Sequence, residues 1–441
     1  MASAPLLSPG RPAVSMQLGY SLGNLGKSVV LTVFDTFLLY YLVRIAGVAP
    51  LAAGGLLGAV MLWDGAADVG VAFLTDRSGH VGALRRLVLI GSPLCAISFW
   101  LIFTLPPADG SWPIALAVML CRAGFALCDI GHNTLIVRFA ADPRIAAGVS
   151  GMRLICSAGG VGLVGLATAA ILTAPPAARA ATIAAAAMIG GALYAGTLLV
   201  AVVATRRLPV PPTPGGERRS AAAVIGDLWR NPPFRRLLCL LPLQSGLVPL
   251  FVRALAFTGE ATRGGAQWAG PALATIALAQ ALSLPVWMVA ARWRRPQALL
   301  VLAHGAMLVA LAMLAATLGA GVDVIGLTLI GIAQAGMNMA IWAMLAIAVH
   351  RGAGEGVMDE ALPVGVFLAV IKASGGLGHA LLALVVAAAA CPRCGATPGM
   401  VATIAWLLPA LGCGGVLWLV RGSRRSPAPL RVPETVASAP S

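Results

Sequence analysis

Residues 208–220 read LPVPPTPGGERRS, a run of proline, glycine and charged residues that is typical of a linker and not of a continuous helix. Apolar stretches lie on both sides of it, and each is long enough to cross the hydrocarbon core of a bilayer, which takes ~20 residues in a helix. Six stretches precede the linker and six follow it. The linker is therefore predicted to divide the chain into two halves of six helices each.

The composition indicates that lipid is the solvent for most of the surface. Of the 441 residues, 59% are hydrophobic and only 10% are charged, and the mean hydropathy is +0.91. Soluble domains carry about 25% charged residues, so a water-soluble fold is excluded. The net charge of +15 comes from arginines clustered between apolar runs, which is the positive-inside pattern and not a nucleic-acid-binding stripe.

The apolar stretches are predicted to be transmembrane helices, numbered 1 to 12 in chain order. They lie near residues 17–44, 50–74, 86–105, 112–138, 147–173, 180–204, 236–257, 266–291, 297–320, 323–349, 361–390 and 398–420. We expect an all-α membrane protein with the major facilitator layout. Its expected parts are a cytoplasmic tail at 1–15, a six-helix bundle at 16–205, a central cytoplasmic loop at 206–235, a second six-helix bundle at 236–420 and a cytoplasmic tail at 421–441.

The arginines predict the orientation. Most lie in loops after the even-numbered helices, and the opposite loops hold few, namely Arg44, Arg179, Arg263 and Arg393, with Arg253 close to them. Basic loops stay on the cytoplasmic side. Both termini are therefore expected to be cytoplasmic, in a multi-pass protein of the cell inner (plasma) membrane.

Two acidic residues inside helix 2 form the strongest candidate site. Asp64 and Asp68 are four residues apart, so they share one helix face. Charges in the bilayer cost at least ~2.5–3.5 kcal/mol each, and two close carboxylates repel unless a proton or a cation neutralises one. We predict a cation-coupling site here, with Lys372 as its counter-charge, because Lys372 lies in the glycine-containing VIKASGGLG of helix 11.

Further polar residues inside the apolar stretches are candidates for substrate binding. Asp129 in helix 4 is predicted to contact substrate; alternatively it pairs with Arg122 or Arg153 to hold helices together. Asp35 in helix 1 is either a substrate or proton group or part of a polar patch. Asn133 is a candidate contact, although lone polar groups in membranes also form interhelical hydrogen bonds.

No nucleotide, metal or nucleophile motif appears in the sequence, so we expect neither an enzyme nor a bound cofactor. Six of the eight cysteines lie in apolar stretches and are predicted to be packing residues. Cys391 and Cys394 form a lone CPRC, which is weak evidence for a metal site. A disulfide between them or two free thiols remain the alternatives.

Several motifs resemble the glycoside–pentoside–hexuronide:cation symporter family, the melibiose permease-like branch of the major facilitator superfamily. They are LGYSLGNLGKSVV at 18–30, WDGAADVGVAFLTDRSG at 63–79, NPPFRRL at 231–237 and EALPVGVFLAVIKASGGLG at 360–378. The resemblance implies a twelve-helix fold and symport with H⁺, Na⁺ or Li⁺. It also implies that Asp64 and Asp68 bind the cation, that Lys372 is their charge partner, and that Asp129 and Arg153 contact sugar.

The chain departs from that family at several positions. The helix 1 acid is replaced by Ser28, and Asp35 lies seven residues on, two turns away on nearly the same face. A sugar-stacking tryptophan is replaced by Asn133. Two neutral sodium ligands are replaced by Ala67 and Ala126. A hard metal ion is poorly caged without such oxygens, so H⁺ is favoured and Na⁺ is the alternative.

The sequence thus predicts a secondary transporter that couples a cation, preferably H⁺, to a small organic solute such as a sugar or glycoside. A lysolipid or other amphipathic substrate is the alternative cargo, and a non-transporting membrane scaffold is the alternative class. The expected partners are the solute and the lipid bilayer, with no nucleic acid, and the expected state is a monomer.

Overall fold

A computed structural model of the chain describes residues 14–78, 81–106, 112–134, 143–206, 221–316, 319–352, 361–391 and 397–422. Within these ranges, twelve helices are long and apolar enough to span a membrane. Helices 2 to 6 are Pro50–Ser78, Val81–Thr104, Trp112–Thr134, Pro143–Thr173 and Pro176–Ala204. Helices 8 to 12 are Ala269–Trp293, Pro296–Ala315, Ala320–Gly352, Ala361–Ala390 and Pro398–Gly422.

Helices 1 and 7 are interrupted by wider π-helical turns. Helix 1 comprises Val14–Thr32, a π turn at Val33–Phe37, Leu38–Tyr40 and a second π turn at Tyr41–Ile45. Helix 7 comprises Pro232–Leu241, a π turn at Pro242–Leu247, Leu250–Arg253 and Leu255–Thr262. Such turns bond i to i+5, insert an extra residue and are frequent at functional sites.

Proline and asparagine set several helix starts. Six helices begin at a proline, namely Pro50, Pro143, Pro176, Pro232, Pro296 and Pro398. Proline suits this position because the first amide groups of a helix have no intrahelical partner. Before helix 7, a short helix at Ala221–Arg230 ends, and the Asn231 side chain accepts a hydrogen bond from Phe234 N at 3.4 Å. Helix 7 thus begins four residues before the expected bundle boundary at 236.

Contacts between the halves are concentrated in two helix pairs, helix 2 with helix 11 and helix 5 with helix 8. Small residues permit the close approach. A Cβ at Gly270 of helix 8 would lie 2.5 Å from the backbone nitrogen of Ala169 in helix 5, so only glycine fits. Packing of this kind replaces the hydrophobic driving force that is missing in lipid.

The cysteines agree in part with the sequence prediction. All six in the apolar stretches are free thiols, although Cys239 is exposed rather than packed. Cys391 is disulfide-bonded, which excludes the free-thiol alternative for that residue. Cys394 lies outside the described residues.

Candidate functional site

The two helix 2 acids lie at the interface between the halves and share one lysine of helix 11. Asp64 and Asp68 are 0% and 1% exposed. Lys372 Nζ lies 3.1 Å from Asp64 Oδ2 and 2.6 Å from Asp68 Oδ2. The structure therefore brings together the three residues predicted for cation coupling, and it does so across the contact of the first half with the second.

Arg122 of helix 4 completes this group, which we call the helix 2 cluster: Asp64, Asp68, Arg122 and Lys372. The Arg122 guanidinium is fully buried and forms an ion pair with Asp64. It also lies over the rings of Phe34 and Phe125, at 5.1 and 4.7 Å from their centroids, where the π faces stabilise a cation. Asp64 thus has two cationic partners, whereas Asp68 has only the shared Lys372 among the described residues.

The helix 2 cluster leaves carboxylate oxygens without hydrogen bonds. Asp64 Oδ1 and Asp68 Oδ1 are buried and accept none within the described parts of the chain. Buried polar atoms are normally satisfied by a hydrogen-bond partner. Each helix 2 carboxylate therefore keeps one buried oxygen that has no partner among the described residues.

A second buried group, the helix 4 cluster, consists of Lys27, Asp129, Asn133 and Arg153. Lys27 Nζ lies 2.5 Å from Asp129 Oδ1. The Asn133 amide donates to Asp129 Oδ1 at 2.9 Å, and its carbonyl oxygen accepts from Lys27 and from Arg153, also at 2.9 Å each. Three predicted substrate residues therefore lie together.

Tyr20 and His132 hold helix 1 against helix 4 beside that cluster. Their rings stack with centroids 4.4 Å apart. Tyr20 donates through its hydroxyl to the His132 carbonyl at 3.1 Å, and His132 Nε2 lies 2.9 Å from the Tyr20 carbonyl. The Arg153 guanidinium lies over the Tyr20 ring at 5.8 Å. Tyr20 thereby supports the Arg153 side chain beside Asn133.

Asp35 lies away from the helix 4 cluster. Its Oδ1 is 3.7 Å from Arg253 Nη2 of helix 7, whereas Ser28 packs against Gly160 of helix 5. Asp35 and Ser28 therefore have different neighbouring helices, helix 7 for Asp35 and helix 5 for Ser28. The π turn at Val33–Phe37 adds a residue to the turn that holds Asp35, which rotates it relative to a regular α-helix.

Arg253 was expected near a loop, but it is buried inside helix 7 and only 6% exposed. Its two terminal nitrogens donate to the carbonyl oxygens of Gly246 and Ser245, at 3.1 and 3.2 Å. Those carbonyls belong to the π turn at Pro242–Leu247. Pro249, four residues after Ser245, has no N–H to donate to the Ser245 carbonyl. The arginine thereby holds the turn open and points toward helix 1.

Further along the same two helices, Glu260 of helix 7 binds helix 1. Tyr40 donates through its hydroxyl to Glu260 Oε1 at 2.7 Å, and Arg44 Nε donates to Oε2 at 3.1 Å. We call Asp35, Tyr40, Arg44, Arg253 and Glu260 the helix 1–7 latch. A cavity of about 330 Å³ lies beside Arg44 and Glu260, at the latch and not at either buried cluster.

The substitution Gly378→Ala is expected to loosen this latch. A Cβ at Gly378 of helix 11 would lie 2.6 Å from both Arg253 Nη1 and the Gly246 carbonyl oxygen. Since the carbonyl is backbone, the guanidinium has to move and loses its position opposite Asp35. Hydrogen–deuterium exchange followed by mass spectrometry should show faster exchange in residues 38–45.

Gly414→Ala in helix 12 is the matched control for that experiment. A Cβ there would meet no atom within 4 Å, so exchange in residues 38–45 should stay at the wild-type rate. Equal exchange in both variants and the wild-type protein would contradict the proposed role of the glycine.

Sequence reasoning missed Lys27, Arg122 and Arg253 as site residues. A signal existed for the first two, because each is a cation inside an apolar stretch. No group of three or more potential metal ligands occurs in the described residues. The positions of the two missing sodium ligands are apolar, and Ala126 is buried.

The family described as MFS/sugar transport protein matches residues 19–421 of the chain. No curated protein matches the chain significantly. The nucleoside transporter NupG is similar in structure, with a TM-score of 0.66 and 15% identity over 93% of this chain and 100% of that one.

Two other solved structures are also similar. A variant of the E. coli fucose:proton symporter FucP has a TM-score of 0.61 and 14% identity, over 94% of this chain and 100% of that one. The human organic anion transporter TETRAN has a TM-score of 0.55 and 16% identity, over 92% and 100%. At identities this low, structural similarity shows the fold alone. This similarity confirms the prediction of a twelve-helix major facilitator architecture.

Proposed function

Because the chain belongs to the MFS/sugar transport protein family, we propose that it is a melibiose permease-like symporter that couples H⁺ to a small organic solute such as a sugar or glycoside. The chain is a multi-pass membrane protein and a secondary transporter, since the family and the similar structures are transporters. The expectation that it is not an enzyme is confirmed on the same ground.

The observation that carries the proposed coupling is the bridge of Lys372 to two buried acids. Helix 2 belongs to the first half and helix 11 to the second, so the shared ion pairs join the halves. A proton on Asp68 would remove one partner of Lys372 and leave the ammonium to Asp64, which also keeps Arg122. Protonation of one carboxylate would thereby change the interaction between the halves.

We favour the proton over Na⁺ as the coupling ion on the chemistry of the neighbouring side chains. Na⁺ is a hard cation that needs several oxygen ligands. The positions expected to supply neutral oxygens are Ala67 and Ala126, whose side chains have none. A proton requires only the free Oδ1 atoms of the helix 2 acids.

The helix 4 cluster is the proposed substrate site, with Asp129, Asn133 and Arg153 as its contacts. Its hydrogen-bonding groups converge from helices 1, 4 and 5, as in transporters that bind substrate among the helices near the bilayer midplane. We assign Asp35 instead to the latch, because its ion-pair partner is on helix 7.

The latch fits one state of alternating access. With both termini cytoplasmic, as the arginines predict, Arg44 and Glu260 lie at the extracytoplasmic end of helices 1 and 7. When the contacts of the helix 1–7 latch are formed, the extracytoplasmic entrance between the halves is closed. Substrate would then enter or leave from the cytoplasm. We further propose that the protein works as a monomer in the plasma membrane, with no cofactor.

Transport by liposomes that contain the purified protein tests this function. A thermal-shift screen against sugars, glycosides and lysolipids first identifies a stabilising solute. An inward proton gradient should then drive its accumulation, whereas an Na⁺ gradient at equal pH should not. Accumulation with Na⁺ alone would overturn the choice of ion, and absence of any flux would favour a scaffold.

A further inference from the structure

Among the described residues, the ion pairs that lie between the transmembrane helices balance in charge at all sites but one. The helix 2 cluster contains two acids and two cations. Asp35 balances Arg253, and Asp323 balances Arg263, with one acid for each cation. Balance is expected, because an unpaired charge inside a membrane protein is costly.

The helix 4 cluster is the exception, since Lys27 and Arg153 face a single acid, Asp129. Asp129 forms its ion pair with Lys27. Arg153 has no carboxylate partner among the described residues; its terminal nitrogen donates to the Asn133 carbonyl oxygen, and its buried Nε has no hydrogen bond. The cluster therefore carries one positive charge that no described residue neutralises.

Asn133 does not remove that surplus. Its carbonyl oxygen is neutral and accepts from both Lys27 and Arg153, so the two cations are held close to each other. An anion near both would be attracted strongly, because charges interact more strongly away from bulk water. Arginine also presents a planar fork of donors that matches a carboxylate or similar oxyanion.

We propose that the transported solute carries one negative charge, borne by a carboxylate or similar oxyanion that binds to Arg153 with Lys27 beside it. Arg153 is only half-buried, and among the described residues its guanidinium forms one hydrogen bond, through Nη2 to Asn133. This inference rests on the proposed symport and specifies its cargo. A monoanion that enters with one proton moves no net charge, so transport would be electroneutral.

Neutral sugars and zwitterionic lipids do not match the charge of the helix 4 cluster. A neutral sugar would leave the surplus charge in place when bound. A zwitterion would bring a further positive group to a cluster that already has more cations than acids. Only a net anion balances the helix 4 cluster as the other ion pairs between the helices are balanced.

Thermal-shift measurements on the purified full-length protein test the charge of the solute directly. The probes are carboxylates, each paired with its own primary amide, from short hydroxy acids to aryl glucuronides. At least one acid should stabilise the protein while its amide does not. Stabilisation by the amides as well, by a lysophospholipid instead, or by no acid at all would overturn the inference.

Variants of Arg153 test the site itself. Arg153→Gln should weaken binding of the stabilising acid by about tenfold or more, the usual worth of a hydrogen bond to a charged group. Arg153→Lys should retain part of the affinity. Arg179→Gln is the matched control, because Arg179 donates to the Ala174 carbonyl in another region. This variant should bind the stabilising acid with the affinity of the wild-type protein.

The outcome of this test can be told apart from failure of the proposed symport. If an acid binds and Arg153→Gln abolishes that binding, the anion site stands even when a proton gradient fails to drive uptake. If uptake follows the proton gradient but the cargo is neutral, the symport stands and the anion site is wrong. Equal affinity of Arg153→Gln and the wild type for the stabilising acid would also refute the anion site.

Discussion

Arg122→Gln is expected to destabilise the folded protein by about 3–5 kcal/mol, the usual effect of removing one partner from a buried ion pair. Arg122 and Asp64 are both completely buried. Without the arginine, the two helix 2 carboxylates depend on one ammonium group, that of Lys372. The loss of stability would appear as a lower melting temperature in detergent, measured by tryptophan fluorescence.

The double variant Asp64→Asn/Arg122→Gln separates charge from packing. If the unpaired carboxylate causes the loss, neutralising it should restore most of the stability, because the two effects are coupled. Arg86→Gln, at an exposed arginine of helix 3, should melt as the wild type does. A double variant as unstable as the single one would mean that the lost contacts with Phe34 and Phe125 dominate.

The sequence was sufficient to predict the number, the approximate positions and the two-half arrangement of the helices. Length and hydropathy determine these features, because lipid excludes unsatisfied backbone groups and leaves a chain of this kind only helices. The grouping of Asp64 with Asp68 could also be anticipated, since their spacing places them on one face of helix 2. Lys372 was predicted as their counter-charge from its place in the glycine-containing VIKASGGLG of helix 11.

Other features of the site required the three-dimensional structure. Asp35 was assigned a face by regular α-helical geometry, but it lies in a π turn, and its ion-pair partner is on helix 7. The partner of Arg122 depends on how helices 2 and 4 are rotated about their axes, which hydropathy does not specify. The buried Arg253 donates to two carbonyl groups in the π turn of helix 7 and pairs with Asp35 of helix 1, which its place in the sequence does not reveal.

Asp68→Asn is expected to abolish uphill accumulation while the protein still exchanges solute across the membrane. Asp68 has Lys372 as its ion-pair partner in the described structure, whereas Asp64 is also held by Arg122. Asp68 is therefore the carboxylate that can change its protonation with the smaller disruption. An amide at this position cannot form an ion pair, so Lys372 would stay paired with Asp64. The variant would thereby imitate a permanently protonated Asp68.

Liposome transport measures both parts of this prediction. One proton per solute can support at most about tenfold accumulation for each unit of pH gradient, and the variant should show none. Exchange of labelled for unlabelled solute, which needs no net proton movement, should continue. Asp227→Asn, at an exposed acid of the short helix before helix 7, should accumulate solute normally. Proton-driven accumulation by Asp68→Asn equal to the wild type would place the coupling proton elsewhere, with Asp64 as the remaining acid of the pair.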